Sequence, residues 1–206
     1  MMMKKNNIDL DYFVYGIQGG KGSFSEQAIN YYLKKQKIKK YKIKYLYTTS
    51  EVLKALNKSQ IDFGLFAIHN SVGGLVEESI RAMANHKFKI VEEFNILIRH
   101  FLMKKREIGF EDIKRIMVHP QVLKQCPITL EEKYPDLLLT SGQGDLIDTA
   151  QASKTLSAGK LDSGIAILGP ENLSRICDLE IIDQDLQDNK NNQTSFLLVK
   201  NISGKR

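Results

Sequence analysis

Apolar residues in this chain alternate between short β-prone runs and helix-spaced stripes, and this alternation restricts the fold more than any other feature. Residues 12–17, 43–47, 61–68, 115–118, 137–139, 164–168, 179–182 and 196–199 read as strands. Residues 90–102 read as one long strand, with the option of crossing between lobes. Helices are expected near 23–35, from 49 through the Val52, Leu53, Leu56 stripe, at 75–84, and at about 120–132, 145–158 and 170–176. Strands alternating with helices imply parallel or mixed sheets covered by helices, an α/β fold.

Local chemistry supports these boundaries. Ser23-Phe24-Ser25-Glu26 and Thr48-Thr49-Ser50-Glu51 both have the spacing of a capping box. Pro120 after His119 suits a first helical turn. A weak internal echo links Ile61-Asp62-Phe63-Gly64-Leu65-Phe66-Ala67-Ile68 to Leu161-Asp162-Ser163-Gly164-Ile165-Ala166-Ile167-Leu168. Each is a polar turn leading into a buried strand, and α/β sheets place ligands at strand carboxyl ends. The echo suggests two similarly built lobes facing one cleft.

Composition excludes several classes. Cys126 and Cys177 are far apart without metal-type spacing and read as free thiols in a reducing compartment. The polar residues Asn6, Asn7, Asp9 and Asp11 interrupt the apolar stretch a secretory signal would need, and no apolar run has membrane-spanning length. A cytoplasmic protein without a membrane partner is expected. The +6 net charge concentrates in residues 1–60, with its densest run at Lys34, Lys35, Lys37, Lys39, Lys40, Lys42 and Lys44. A nucleic-acid patch and a solvated helix end both fit this run. The second is preferred, because Lys favours helix C-termini and no RNA-binding aromatic motif accompanies it.

Four segments could carry chemistry. Gly22-Ser23-Phe24-Ser25 can hold a carboxylate on exposed N–H groups and hydroxyls, or be a simple helix cap. The segment from Ala67 through His69, Asn70, Ser71 and Gly73 to Gly74 ends a buried strand, and reads as a ligand loop or a turn. His119-Pro120-Gln121, followed by Leu123, Gln125 and Cys126, offers an acid, a base or a donor, or an N-cap histidine. Asp188 through Asn192, Gln193, Thr194, Ser195 and Phe196 is a polar loop entering the last strand, or a plain surface loop.

Together and in order, these segments resemble the prephenate dehydratase catalytic domain over roughly residues 12–200. Gly22-Ser23-Phe24-Ser25-Glu26-Gln27-Ala28 resembles the family's G-[ST]-F-S-x-x-A opening. Asp62 to Ser71 resembles its D-x-G-…-P-I-E-N-S segment, His119 to Cys126 its S-H-P-Q-A-L-x-Q-C motif, and Asp188 to Phe196 its D-…-N-x-T-R-F ending. The resemblance implies a two-lobed architecture like type II periplasmic binding proteins, with a cleft between the lobes. Lobe 1 would hold about residues 10–88 plus 188–200, and lobe 2 about 89–187. Ten residues follow Phe196, so the family's common regulatory ACT domain is expected to be absent.

The implied reaction converts prephenate to phenylpyruvate with loss of carbon dioxide and water. Aromatisation drives it, so neither metal nor other cofactor is expected. The partner is a small carboxylate, not nucleic acid, and a homodimer is one option. The resemblance implies catalytic roles for Thr194, Ser195 and His69. It implies substrate contacts from Ser23, Phe24, Ser25, Asn70, Ser71, Gly73, His119, Gln121, Thr149, Phe196 and Lys21. This sequence departs from the motifs at four positions. Ala67 replaces Pro, His69 replaces Glu, Val118 replaces Ser and Ser195 replaces Arg. Losing a charge-assisted partner removes roughly 1.5–3 kcal/mol. Lys21 and a protonated His69 are the candidate replacements. A related enzyme acting on prephenate, arogenate or another cyclic carboxylate is a second reading, and a non-catalytic binding protein a third.

Overall fold

A computed structural model describes residues 12–202. The expectation for the N-terminal residues 1–11, and the first two residues of the expected first lobe, lie outside that range. The strands in chain order are β1 (Phe13–Ile17), β2 (Tyr41–Tyr45), β3 (Phe63–Asn70), β4 (Gly74–Leu75), β5 (Lys89–Leu97), β6 (Phe101–Lys105), β7 (Arg115–Met117), β8 (Leu138–Thr140), β9 (Ile165–Gly169), β10 (Leu179–Gln184) and β11 (Gln193–Lys200). The helices are α1 (Phe24–Lys35), α2 (Thr49–Asn57), α3 (Glu77–Ala84), α4 (Pro120–Leu123), α5 (Pro127–Lys133), α6 (Thr149–Ser157) and α7 (Asn172–Ile176).

Two sheets form, each in its own lobe. The first runs β2-β1-β3-β11-β5, with β4 paired to β3, and the second runs β8-β7-β9-β6-β10. In each, three parallel strands in the same spatial order are followed by one antiparallel strand and then by a fifth that runs with the first three. The two lobes therefore share one topology, and the echoed segments occupy equivalent central strands, β3 and β9. Strand β9 is buried along its whole length, as a parallel strand covered on both faces should be. Helix α1 covers one face of the first sheet over Tyr15, Ile17, Leu65 and Phe196, while α2 and α3 cover the other over Phe66, Leu197 and Val199. The second sheet packs likewise, with Ile116, Val122 and Leu130 on one face and Ile167, Leu156 and Leu173 on the other.

Three expectations change. The single helix expected over about 120–132 is two, α4 and α5, with Pro127 opening the second. The expected long strand over 90–102 is two strands, broken at Ile98, Arg99 and His100. Strand β5 pairs with β11 in the first sheet, so the first lobe extends to about residue 97 and the crossing follows it. The apolar pattern runs through this break, because Ile98, Phe101 and Leu102 are buried on either side of the turn. The basic run also divides. Lys34 and Lys35 end α1, where the helix dipole favours them, but Lys42 and Lys44 lie on β2, an edge strand. Charged edges deter unwanted strand pairing. Among the described residues no helix is long and apolar enough to cross a membrane.

Helix starts are specified locally. Ser23 Oγ accepts from Glu26 N (3.3 Å) and Thr48 Oγ1 from Glu51 N (3.2 Å). The first capping box is displaced by one residue: Glu26 Oε2 accepts from Gly22 N (2.6 Å). Tyr45 donates a short hydrogen bond to the same carboxylate, and with burial this pushes the phenol pKa well up. Helix α2 borrows a second cap from α3, whose Glu78 accepts from Thr49 N and Ser50 N (both 3.3 Å).

Candidate functional site

The lobes meet at two places. In the first, the Gly19–Gly22 turn before α1 reaches the second lobe, where Gly20 N donates to Asp148 Oδ2 (3.2 Å), the N-cap of α6. Gly22 has φ +93° and faces Leu173 and Ile176 of α7 so closely that a Cβ would clash. In the second, the turn after β3 meets α4, where Gln121 Nε2 donates to Gly73 O (3.0 Å).

Between these contacts lies a buried amide network centred on Asn70, which is 1% exposed. Its Oδ1 accepts from Val72 N (3.0 Å) and Gly73 N (2.7 Å). Two backbone donors on one atom fix the amide orientation, so Nδ2 must face the other way. There it has three acceptors: Asn192 Oδ1 (2.7 Å), Thr194 Oγ1 (2.9 Å) and Gln193 O (3.1 Å). Asn192 Nδ2 in turn donates to Gln125 Oε1 (2.6 Å), and Gln125 Nε2 to Gln121 O (2.8 Å). The chain of amides thus runs from Thr194 through Asn70 and Asn192 into the second lobe.

Other anticipated residues join at its edges. His119 caps α4, its Nδ1 accepting from Gln121 N (3.1 Å), and burial lowers its pKa against the raising effect of Asp148. Thr149 opens α6 and shares a small pocket with His119, Met117, Leu146 and Ile167. Ser71 is exposed, with Oγ accepting from Gln193 N (2.9 Å). Phe24 sits edge-on to His100, 5.2 Å between ring centres, while Ser25 is buried in the first turn of α1 and Lys21 is exposed beside it. The N–H groups of Phe24 and Ser25 have no intrahelical partner, by helix geometry.

Three anticipated residues point elsewhere. Phe196 is 1% exposed and stacks on Phe94 inside the first lobe (6.3 Å), so it is a core residue and not a lining one. Ser195 and His69 are direct cross-strand partners on β11 and β3. Successive strand residues face opposite sides, so Ser195 turns away from Thr194, and its Oγ donates to Asn95 Oδ1 on β5 (2.6 Å). His69 is exposed beside it, because a bulge between the β3 and β11 registers brings it onto the face of Ser195. A hydroxyl and an imidazole there do not replace a guanidinium at the amide network.

Three participants were not anticipated as site residues: Gln125, Asn192 and His100, whose Nε2 lies 3.0 Å from Gln125 Oε1. Gln125 and Asn192 stood within the motifs, and their burial at 4% and 0% marks them as structural members of the network. His100 had no motif to signal it. Among the described residues no group of three or more His, Cys, Asp or Glu could hold a metal ion. An open cavity of about 470 Å³ lies on the second lobe among Leu123, Pro127, Leu130, Tyr134 and Leu139. It contains none of the network residues and no cation to bind a dianion.

The family described as prephenate dehydratase matches residues 15–203. Arogenate dehydratase/prephenate dehydratase 2, chloroplastic, of Arabidopsis thaliana is 32% identical over 145 residues, covering 70% of this chain and 36% of the relative. A bifunctional chorismate mutase/prephenate dehydratase of Buchnera aphidicola is 29% identical over 194 residues, covering 94% of this chain and 48% of the relative. This chain thus spans half or less of these relatives' lengths. The crystal structure of prephenate dehydratase from Arthrobacter aurescens in complex with L-Phe superimposes with TM-score 0.77, over 91% of this chain and 60% of that one, at 23% identity. That likeness shows the two-lobed fold, and the sequence match over nearly the whole chain shows that this chain belongs to the prephenate dehydratase family.

Proposed function

We propose that this chain is a lyase that converts prephenate to phenylpyruvate, with Thr194 donating the hydrogen bond that helps the ring hydroxyl leave. One observation carries the reading. Asn70 Nδ2 donates to Thr194 Oγ1 from an amide whose orientation is fixed by two backbone N–H groups. The threonine oxygen is thereby an acceptor toward the protein, and its own proton is available to point elsewhere. A buried hydroxyl held in that state is a donor awaiting an acceptor, which a departing hydroxyl supplies.

The substrate is a dianion, and the start of α1 supports binding of one carboxylate. The N–H groups of Phe24 and Ser25, the positive end of the helix dipole and Lys21 lie in one turn. The second carboxylate leaves as carbon dioxide, so it gains from weak rather than strong charge neutralisation. Ser195 turns to the face away from Thr194, so the missing guanidinium is not subtracted from this site. His119, Gln121 and Thr149 close the site from the second lobe and exclude water once the lobes meet.

The test is incubation of purified protein with prephenate, and separately with arogenate, followed by product identification by mass. Phenylpyruvate from prephenate is expected. Phenylalanine from arogenate alone would shift the substrate assignment. A decarboxylated product that keeps its hydroxyl would contradict the role given to Thr194, and recovery of both compounds unchanged would leave binding without catalysis.

A further inference from the structure

We propose that His100, at the crossing between the lobes, is a positioning residue that sets the amide network beneath Thr194, and so couples lobe alignment to the direction of the catalytic hydroxyl. The proposal deepens the dehydratase reading and rests on it.

His100 lies where the chain first leaves the first lobe, between β5 and β6, and is 0% exposed. The return crossing, between β10 and β11, packs directly against it. His100 N donates to Gln187 Oε1 (2.9 Å), Leu186 N donates to His100 O (3.1 Å), and Arg99 grips Asp185 through two hydrogen bonds (2.5 and 2.6 Å). The two crossings thus form one pinned junction, and the histidine side chain projects from it into the network.

The hydrogen-bond directions can be assigned in full. Gln125 Nε2 is committed to the carbonyl of Gln121, so Gln125 Oε1 faces the crossing and can only accept. It receives Asn192 Nδ2 at 2.6 Å and His100 Nε2 at 3.0 Å. The imidazole must therefore carry its proton on Nε2. Its Nδ1 has no hydrogen-bond partner among the described residues. Protonating it would place a charge in a buried site, and burial lowers the pKa accordingly. The ring is neutral, in one tautomer, and edge-on against Phe24 at the start of α1.

This arrangement has a consequence for Thr194. With Gln125 Oε1 held by two donors, Gln125 cannot rotate to offer its amide to Asn192. Asn192 then keeps Nδ2 toward Gln125 and Oδ1 toward Asn70, and Asn70 keeps Nδ2 on Thr194 Oγ1. Removing the His100 donor leaves Gln125 Oε1 with Asn192 Nδ2 alone, so the side chain is held less tightly. Gln121 O and the two backbone donors on Asn70 still oppose a reversal of the amides, so the relay loosens without turning over. A hydroxyl four hydrogen bonds from His100 is then held less firmly in its direction. No hydrogen bond joins the histidine to Thr194, so its effect on that hydroxyl passes through Gln125, Asn192 and Asn70.

Two substitutions separate positioning from packing. His100→Phe keeps a ring in the same space and removes the donor. His100→Gln returns an N–H close to the position of Nε2. With prephenate as substrate, kcat should fall roughly three- to tenfold in His100→Phe, the loss expected for one buried hydrogen bond, with little change in KM. His100→Gln should recover most of it. A second readout needs no turnover: the side-chain amide NMR signals of Asn70 and Asn192 should move in His100→Phe and return in His100→Gln. In the wild-type protein, the imidazole ¹⁵N shifts should show the proton on Nε2. Unmoved Asn70 and Asn192 signals in His100→Phe, or a proton on Nδ1 in the wild type, would overturn the proposal. If the wild type does not dehydrate prephenate, the dehydratase reading fails, and the NMR signals alone still decide the role of His100.

Discussion

At position 195 a hydroxyl stands where the family motif carries a guanidinium, and the residue directly across from it on β3 has changed as well. The motif's Glu is His69, and the register makes His69 and Ser195 cross-strand partners. Both departures fall on one face of one strand pair, the face away from Thr194. The simplest physical account is a cross-strand ion pair lost as a unit. Such pairs contribute roughly 0.2–1 kcal/mol. Restoring Arg alone at 195 places a guanidinium opposite an imidazole and beside the Asn95 side-chain carbonyl, with no carboxylate at the cross-strand position. We therefore expect Ser195→Arg to leave turnover within a few-fold of wild type. Ser195→Arg with His69→Glu should be more stable than the two single changes predict, by about 0.2–1 kcal/mol in a denaturation cycle. Strict additivity would show that the two positions do not interact. This pairing was invisible in the sequence, because 126 positions separate the residues and the bulge decides which face each takes. Thr194 and Asn70 were picked out because each stood at a fixed place within a motif, whereas Asn192 stood in a motif without being read as a site residue. Phe196 was misread for the same reason: a motif position tells that a residue matters, not whether it faces a ligand or a core.

Among the elements, the glycine turn before α1 does most to fit one lobe to the other. Gly22 lies at φ +93°, where a side chain is strained, and its missing Cβ leaves room for Leu173. Gly22→Ala should therefore cost on the order of 1–3 kcal/mol of thermal stability, combining backbone strain with overpacking. It should also widen the interlobe distance seen by small-angle scattering. A stable variant with unchanged scattering would mean that the turn bends away without effect. Most element identities were readable from spacing. The capping boxes, the Pro120 start of α4 and the repeated helix-turn-strand unit all survive as structure, and the echo proves to be a shared topology. The break at residues 98–100 was not readable, because Ile98 and Phe101 keep the apolar pattern continuous while hydrogen bonds to residues 186 and 187 turn the chain. Those partners are tertiary, and no local pattern announces them.

For the whole molecule, the buried histidine at the lobe junction predicts how stability responds to acid. Burial pushes His100 down to about 4, partly opposed by the hydrogen bond it donates to Gln125. The unfolded chain, with an ordinary histidine near 6.5, then binds the proton more tightly than the folded one. Stability is fully present above about pH 6.5 and falls toward pH 4 at up to about 1.4 kcal/mol per pH unit from this group. His119, also lowered by burial, adds to the same window, so the informative quantity is the difference from His100→Phe. The Asp185 carboxyl, held low by Arg99, acts below this range, because its loss begins only under its ordinary value of 3.8. Denaturant unfolding from pH 7 to 4 should show a shallower decline in His100→Phe, and parallel curves would place the proton uptake elsewhere. The two lobes, their crossings and the amide network all converge on one hydroxyl. The most direct measurement is therefore prephenate turnover by Thr194→Val, which keeps the shape and removes only the O–H. We expect kcat to fall at least about a hundredfold, the scale of losing a positioned donor or acid, with KM changed only a few-fold. Phenylpyruvate formed by Thr194→Val at the wild-type rate would contradict the account.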